Sequence, residues 1–567
     1  MNLIYFWSWI KTILKHNLIH SIYIIFIISN SISIFSQEII LEINSKIDIE
    51  NKVLNTIDFV KTHKDSTSVK LEIQKISSYL KNIGYFTNTI DSIIKRQKKI
   101  ITFFSLNKKV EKVILLVKKN DRFYFRDFKV EKNSVRIPIE YLQSTLNKIS
   151  RKLDSEGKSF SKVKLKNISI KNNVLFAELQ INQSNKRVFN KITIKGYEKF
   201  PRSFLKNYFR IHQQTVFNQK KIKETSLRSK NLKFAKEIKT PEVLFKKDST
   251  ILFLYLKKQQ NNSFDGIINF ASKENGGVLF NGNLDLRLNN VLDTGEEFNL
   301  FWNSIGEEKQ EFSVSAKIPF ILNSKFSPEI SFLIYKQDST FLNTKLNSKL
   351  FYSLNHKTKL ALTYTSEISE NLEKNITSNI NSFNNYFLGF QFELTIPEND
   401  FFFNNKFHFE INPTYGKRKT DQGSLNQFKI ESTLSYIWDL SFRSSIYLRN
   451  KTGYLDSNSF LENELFRIGG ANSLRGFNEQ SIFTNSYSFF NIEYRYLTSN
   501  KSFLYTISDF GSVKINNKNE TLYGIGVGYA FFIQKSKINV GGVLGGNSLG
   551  NLNVNNFKLI LSWKSFF

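Results

Sequence analysis

The chain has 567 residues, among them 55 Phe and 23 Tyr but no Cys, and 80 Lys plus Arg outweigh 49 Asp plus Glu to give a formal charge of +31. That length exceeds one ordinary core and argues for several domains. The missing Cys excludes a disulfide framework, a thiolate metal site and a lipid anchor on an N-terminal Cys. A mean hydropathy of −0.30 alongside so many aromatics suits short alternating strands better than helical membrane spans.

The charge is unevenly placed. Residues 37–262 carry 49 basic and 21 acidic side chains, whereas residues 263–567 carry 29 and 28. Such a break marks two regions that meet different solvents or partners.

At the N-terminus, Lys11 and Lys15 precede the apolar run Ile22 to Ile28, and Ser29, Ser31, Ser33 and Ser36 follow. This reads as a secretory leader over residues 1–36, cut near Ser36 and Gln37. The run is well short of the ~20 residues that a helical span needs.

From residue 37 to 262 short strands mix with amphipathic helices. Leu71, Ile73, Ile76, Leu80 and Ile83 recur at helical spacing, and Gly84-Tyr85 then turns the chain. A strand is expected at Val113 to Val117, and Phe123, Phe125 and Phe128 open a second unit. Its helix runs from Ile139 to Leu153, and strands follow at Val163 to Ile170 and Val174 to Ile181. A third unit starts at Phe189, Ile192 and Ile194 and turns at Gly196-Tyr197. It continues through helices near Arg202 to Phe209 and Gln219 to Phe234, and closes with Ile251 to Leu256. The expected boundaries are 37–120, 121–186 and 187–262, a repeat of strand, helices and two strands.

Beyond residue 262 the period changes from helical to alternating. Leu284, Leu286 and Leu288 interleave with Asn283, Asp285 and Arg287; Phe407, Phe409 and Ile411 interleave with His408, Glu410 and Asn412. Similar stretches occur at Phe298 to Trp302, Phe312 to Ile318, Tyr436 to Leu440 and Ile446 to Leu448. One apolar and one polar face per strand is the pattern of a barrel between lipid and a wet lumen. Residues 263–567 accommodate sixteen antiparallel strands of ~9–11 residues with their connections, and twelve or fourteen with longer loops also fit. The last strand places Phe557, Leu559, Leu561, Trp563 and Phe567 on one parity and Lys558, Ser562 and Lys564 on the other; Ile560 and Phe566 break the alternation.

The most specific stretch runs from Phe466 to Phe477: a Gly469-Gly470 turn, a small polar loop, then Leu474-Arg475-Gly476-Phe477. Gly476 opens backbone conformations closed to other residues, and the Arg475 guanidinium is a planar fork matched to a carboxylate. Downstream lie Asn491, Glu493 and Arg495 on one parity of a strand, and then Ser508-Asp509-Phe510-Gly511. In that order these features resemble the outer-membrane assembly and secretion family that includes BamA, TamA and the two-partner secretion transporters. The match is tightest over residues 460–567, although Ile507 stands where that family often has an aromatic.

The resemblance implies α+β POTRA repeats in the periplasm followed by an antiparallel transmembrane barrel in the outer membrane of a diderm bacterium. Three modules look most like TamA. It also implies that the Arg475 loop folds into the lumen and pairs with Asp509, Glu493 being the competing partner. Gly469, Gly470 and Gly511 would be turn positions, and Trp563 and Phe567 the terminal strand signal. The implied partners are unfolded outer-membrane or secreted client proteins, outer-membrane lipids, and an accessory protein in the periplasm or inner membrane, with no nucleic acid, cofactor or metal. Client insertion by β-augmentation at the modules and a lateral barrel seam is the leading expectation. Two-partner-type secretion and, in another class, a passive channel are the alternatives. Gly541, Gly542, Gly545 and Gly546 would either loosen the seam or serve as small lumenal positions. His63, His212, His356 and His408 form no ligand or triad motif, so no enzyme is expected.

Overall fold

The computed structural model describes residues 38–272, 278–305, 309–373, 379–398, 402–403, 405–515, 518–547 and 557–567. The leader expected over residues 1–36 lies outside them. The described chain forms two compact units that meet in sequence at Lys186 and Arg187.

The first unit holds two sheets. In one, β1 (Ile39–Asn44), β2 (Thr62–His63), β3 (Thr89–Arg96) and β4 (Lys99–Ser105) lie in the order β2-β1-β4-β3, with helices α1 (Asp48–Leu54) and α2 (Ser66–Asn82). Asp65 caps α2 by accepting from the Ser68 N–H at 2.7 Å. Val69, Ile73, Ile76 and Leu80 are buried with Leu41, Ile43 and Phe104 of the sheet, and Gly84 at φ +107° stops the helix.

The second sheet contains β5 (Lys112–Leu116), β6 (Val130–Glu131), β7 (Ser134–Pro138), β8 (Lys162–Lys171) and β9 (Val174–Asn182), with α3 (Ile139–Ser155) across it. Here the expected division at residues 120/121 needs correcting. Strand β5 runs parallel to β9, with Val113 opposite Leu175, and Val113, Leu115 and Val117 share one core with Ile149 and Leu153 of α3. The second module therefore starts before Lys112. The expected division missed this because a lone apolar strand carries no mark of which neighbour it will pair with.

The second unit begins with the third module: β10 (Lys191–Lys195), α4 (Arg202–Asn207), α5 (Gln219–Lys230), β11 (Ala235–Phe245) and β12 (Thr250–Lys258), in sheet order β10-β12-β11. The helix expected to run to Phe234 ends at Lys230, and the eleven-residue edge strand β11 follows it. Pro241 and two register shifts in β11 are tolerated because an edge strand need not donate on its outer side.

The rest is a closed antiparallel barrel of sixteen strands. They are β13 (Ser263–Ser272), β14 (Val278–Asn289), β15 (Glu297–Ile305), β16 (Lys309–Lys317), β17 (Phe326–Gln337), β18 (Phe341–Ser353), β19 (Thr358–Asn371), β20 (Phe383–Pro397), β21 (Asn405–Thr420), β22 (Gly423–Asp439) and β23 (Ser444–Asp456). A small hairpin, β24 (Phe466–Ile468) with β25 (Ile482–Thr484), interrupts the series; β26 (Ser486–Ser499), β27 (Ser502–Ile515), β28 (Lys518–Ile533), β29 (Ser536–Asn547) and β30 (Phe557–Phe566) complete it. Leu362, Leu388, Phe390, Val527, Leu559, Leu561 and Trp563 are exposed on the outer face, while Asn343, Gln391, Gln427 and Thr363 are buried on the inner one. An apolar outer belt on a sheet with every strand paired is what a lipid environment demands of a spanning structure.

Strand connections at the near end of the barrel hold the third module. Tyr197 donates to Asp293 at 2.6 Å and accepts from Asn290 at 2.5 Å, and Lys258 donates to the same Asp293 carboxylate at 2.8 Å. Those bonds, Lys258 first and Tyr197 next, hold the Asp293 carboxyl below its usual range. The β16–β17 connection adds Phe320, whose ring meets Phe204 edge to face at 5.0 Å inside the module's aromatic core. Phe320, Leu322 and Asn323 all have φ between +50° and +56°; Asn adopts this left-handed conformation readily, but Phe320 and Leu322 do so at a cost of ~1–2 kcal/mol each.

Candidate functional site

The connection between β23 and β26 spans residues 457–485 and turns into the lumen. Its base is fixed by Glu464, whose buried carboxylate pairs with Arg418 of β21 and accepts from Gln427 at 2.9 Å. Its arm is the β24–β25 hairpin, where the Arg467 guanidinium lies 3.6 Å from the Tyr335 ring centroid. Further along, Lys309 of β16 donates to the Glu479 carbonyl at 3.1 Å, and Asn491 of β26 donates to the Ser473 carbonyl at 3.0 Å. The loop thus bonds to walls on several sides of the barrel.

Arg475 is at the tip. Its Nε and Nη2 donate to the two Asp509 oxygens at 2.9 and 2.6 Å, and its backbone N–H donates to Oδ2 at 2.8 Å. Nη1 donates to Glu493 at 2.6 Å. Asp509 and Glu493, read from the sequence as first choice and competitor, both bind at once, because the guanidinium offers separate edges to each. Glu493 in turn accepts from Arg495 Nε at 2.8 Å. Two carboxylates and two guanidiniums balance in a site where the Asp509 side chain is 0% exposed, and that neutrality is what makes burial of so much charge tolerable.

The flanking residues fit the same pocket. Leu474 is buried with Ile468, Phe489, Val513 and Leu522, and Phe477 packs half-buried on that cluster. Gly476, at φ +94°, comes so close to β29 that a Cβ there would stand 2.7 Å from the Gly545 Cα. On the wall side, a Cβ on Gly545 would strike the Gly476 carbonyl and one on Gly524 the Arg475 carbonyl. The β29 glycines have separate uses. Gly545 makes room for the tip, while Gly542 and Gly546 are covered by the Phe557 and Tyr523 rings. Gly469 and Gly470, at φ +106° and +100°, open the connection of the hairpin beside Asn478 and Glu479, whereas Gly511, expected at a turn, stands inside β27 against Phe489 and Leu474, where a small residue is needed for close packing.

Trp563 and Phe567 stand apart from this cluster, exposed at the end of β30. The Phe567 N–H donates to the Asn262 carbonyl at 3.0 Å. The junction of β13 and β30 is short, its described pairs being Ser263 with Phe566, Phe264 with Ser565 and Asp265 with Lys564. By contrast β27 and β28 pair along their whole length from Ser502 to Ile515.

Sequence reasoning did not single out Arg418, Glu464 or Arg467. Arg418 stands between Lys417 and Lys419, and only strand parity distinguishes an inward cation from its outward neighbours.

These features define a class: a membrane-spanning antiparallel barrel, with its lumen occupied by one of its own loops, its closing pair short, and α+β modules ahead of it. Family models give no match to the sequence, and neither do curated proteins. Solved structures do. CdiB from Escherichia coli is similar over 87% of this chain and 98% of its own, at 13% identity and a TM-score of 0.50. CdiB from Acinetobacter baumannii is similar over 88% and 97%, at 14% identity and a TM-score of 0.51. BamA from Haemophilus ducreyi lacking POTRA domains 1-3 is similar over 80% and 99%, at 13% identity and a TM-score of 0.46. The chain has the fold of the CdiB structures.

Proposed function

We propose that the protein is a non-enzymatic assembly or translocation factor of the bacterial outer membrane, with its three modules in the periplasm, that inserts or secretes client proteins. The observation that carries this reading is the seam. A barrel whose β13 and β30 pair through only three residues each, among the described residues, has one weak junction, and opening it presents backbone donors and acceptors to an extended client strand. The modules offer edge strands of the same kind. β3, with Ile90, Ile93 and Ile94 exposed, is free on its outer side, and strand addition there would hold a client without reading its sequence. The loop locked at Arg475 occupies part of the lumen meanwhile, which argues against a wide open pore.

The test is reconstitution in liposomes with a denatured outer-membrane client. Insertion faster than with empty vesicles supports assembly, and a client protected inside the vesicles supports secretion. Stable ion conductance without either overturns both in favour of a passive channel. A Phe264→Cys/Ser565→Cys pair supplies the internal control: these residues face each other across the seam, so oxidation should abolish the acceleration and reduction restore it.

A further inference from the structure

A wet lumen should be lined by polar side chains, and on one side it is: Glu329, Lys345, Lys349, Glu367, Lys429 and Glu431 line a cavity of about 180 Å³. Behind the seam the inner wall is different. Phe503, Tyr505 and Ile507 of β27, Ala530 of β28 and Val543 of β29 form a buried apolar cluster, with Phe532 and Ile560 packed against it. Ile560 and Phe566, the residues that break the alternation of the last strand, belong to this surface; Phe566 stacks on Phe532 at 6.2 Å. So part of the notch is made by the strand that forms the seam.

The notch is filled by two aromatic side chains that are not part of the wall. Phe402 and Phe403 lie in the connection between β20 and β21. Phe402 meets Phe503 at 4.9 Å and Phe532 at 5.5 Å, and Phe403 meets Phe503 at 5.3 Å. Phe403 also lies under the Arg495 guanidinium, 4.3 Å from its ring centroid. Both rings sit outside the barrel strands, so their withdrawal breaks no rung of the sheet but leaves an apolar surface facing water.

We infer that this notch is a binding site for the aromatic side chains of an extended client segment arriving at the seam, and that Phe402 and Phe403 occupy it in the resting protein as resident competitors. The inference rests on the client-handling reading above and adds a site to it. Three properties of the notch select aromatics. It is already shaped around rings in edge-to-face and tilted packing, which aromatic pairs prefer. It carries a guanidinium placed for a ring face. And it borders β30, where a client strand pairing at the seam would bring its own inward side chains.

The probe is a synthetic peptide of residues 557–567 of this chain, compared with a version in which Trp563, Phe566 and Phe567 are Ala. Binding to the full-length protein in nanodiscs is read by fluorescence anisotropy. Phe402→Ala/Phe403→Ala should bind the aromatic peptide about tenfold more tightly than the unaltered protein, a 1.4 kcal/mol gain, and should not improve binding of the Ala peptide. Equal affinity for the aromatic peptide with and without the two rings overturns the inference, and so does a gain shared by both peptides. Retained heat-modifiability of the double variant shows that the barrel has folded. A second variant, Ile560→Asn, makes the notch polar and should weaken aromatic binding in the double-variant background; unchanged binding there also overturns the inference. The two readings fail separately. If client insertion is accelerated while peptide affinity ignores Phe402 and Phe403, the notch falls alone; if the peptide binds as expected and no client inserts, the assembly reading falls and the aromatic site stands.

Discussion

Arg495 bridges Glu493 and Phe403: its Nε donates to the carboxylate at 2.8 Å while the guanidinium lies 4.3 Å from the ring centroid. Since the other Glu493 oxygen holds Arg475, the tip of the lumenal loop and the aromatic notch are joined through one ion pair, Glu493 with Arg495.

Arg475→Ala should be strongly destabilising. It leaves Asp509 and half of Glu493 buried without their cation, a loss of the order of 3–5 kcal/mol for a broken buried pair. The expected result is a lower temperature for loss of the compact band on semi-native gels, with new protease cleavage between residues 457 and 485. Arg475→Lys should restore little, because an ammonium cannot serve both oxygens of Asp509 and Glu493 at fixed angles.

Gly545→Val should undock the loop tip without disturbing strand pairing. The added side chain meets the Gly476 carbonyl, a backbone atom with little freedom to yield, and overpacking of this kind costs about 1–3 kcal/mol. Gly542→Ala is the comparison, since its Cβ would meet only the far edge of the Phe557 ring at 2.7 Å. Loop proteolysis should increase for the first and stay near the unaltered rate for the second.

Phe320→Ala should loosen the third module from the barrel. The ring it removes is 8% exposed within the module's core, and deleting a buried Phe costs about 3–5 kcal/mol. Hydrogen exchange in α4 and α5 should rise while exchange in the barrel strands does not.

His356, in the β18–β19 connection, makes the same attachment pH-dependent. Burial first, then Arg228, Lys357 and Arg210, push its imidazole down to about 4, against a weaker opposing pull from Glu224. Arg210 also donates to the neighbouring Leu354 carbonyl. A depressed folded value means that the stabilisation is complete above the ordinary 6.5 and is lost as pH falls toward 4, because the undocked histidine takes its proton first. Exchange in α5 should therefore quicken between pH 6.5 and 4, and His356→Gln should flatten that dependence.

Much of the barrel was legible because period two survives wherever one face meets lipid. The outward parity of Leu559, Leu561 and Trp563 follows from it, and the length then allowed sixteen strands among other counts; the pairing of Arg475 with Asp509 and Glu493 came from the family resemblance, because a loop residue carries no period. What was not legible depended on partners distant in sequence. Ile560 and Phe566 look like errors in an alternating strand until Phe402 and Phe532 are placed against the same inner wall. Strand β11, with charges on both parities and Pro241, has no periodicity, being an edge. Strand β5 was visible as a strand, yet its sheet was not, since parallel pairing with β9 is settled across some sixty residues of chain.

Under the function proposed above, the short junction of β13 and β30 would set the terms on which a client strand exchanges with the resident one. Each backbone hydrogen bond contributes about 0.5–1.5 kcal/mol where water competes and several kcal/mol where it does not. Beyond Asp265 the described part of β13 runs on to Ser272 with no partner in β30. An incoming strand can therefore lay down its first rungs on vacant backbone and displace the resident ones afterwards, so that the count of paired groups never falls during the exchange. In kinetic terms the seam would then be a toehold.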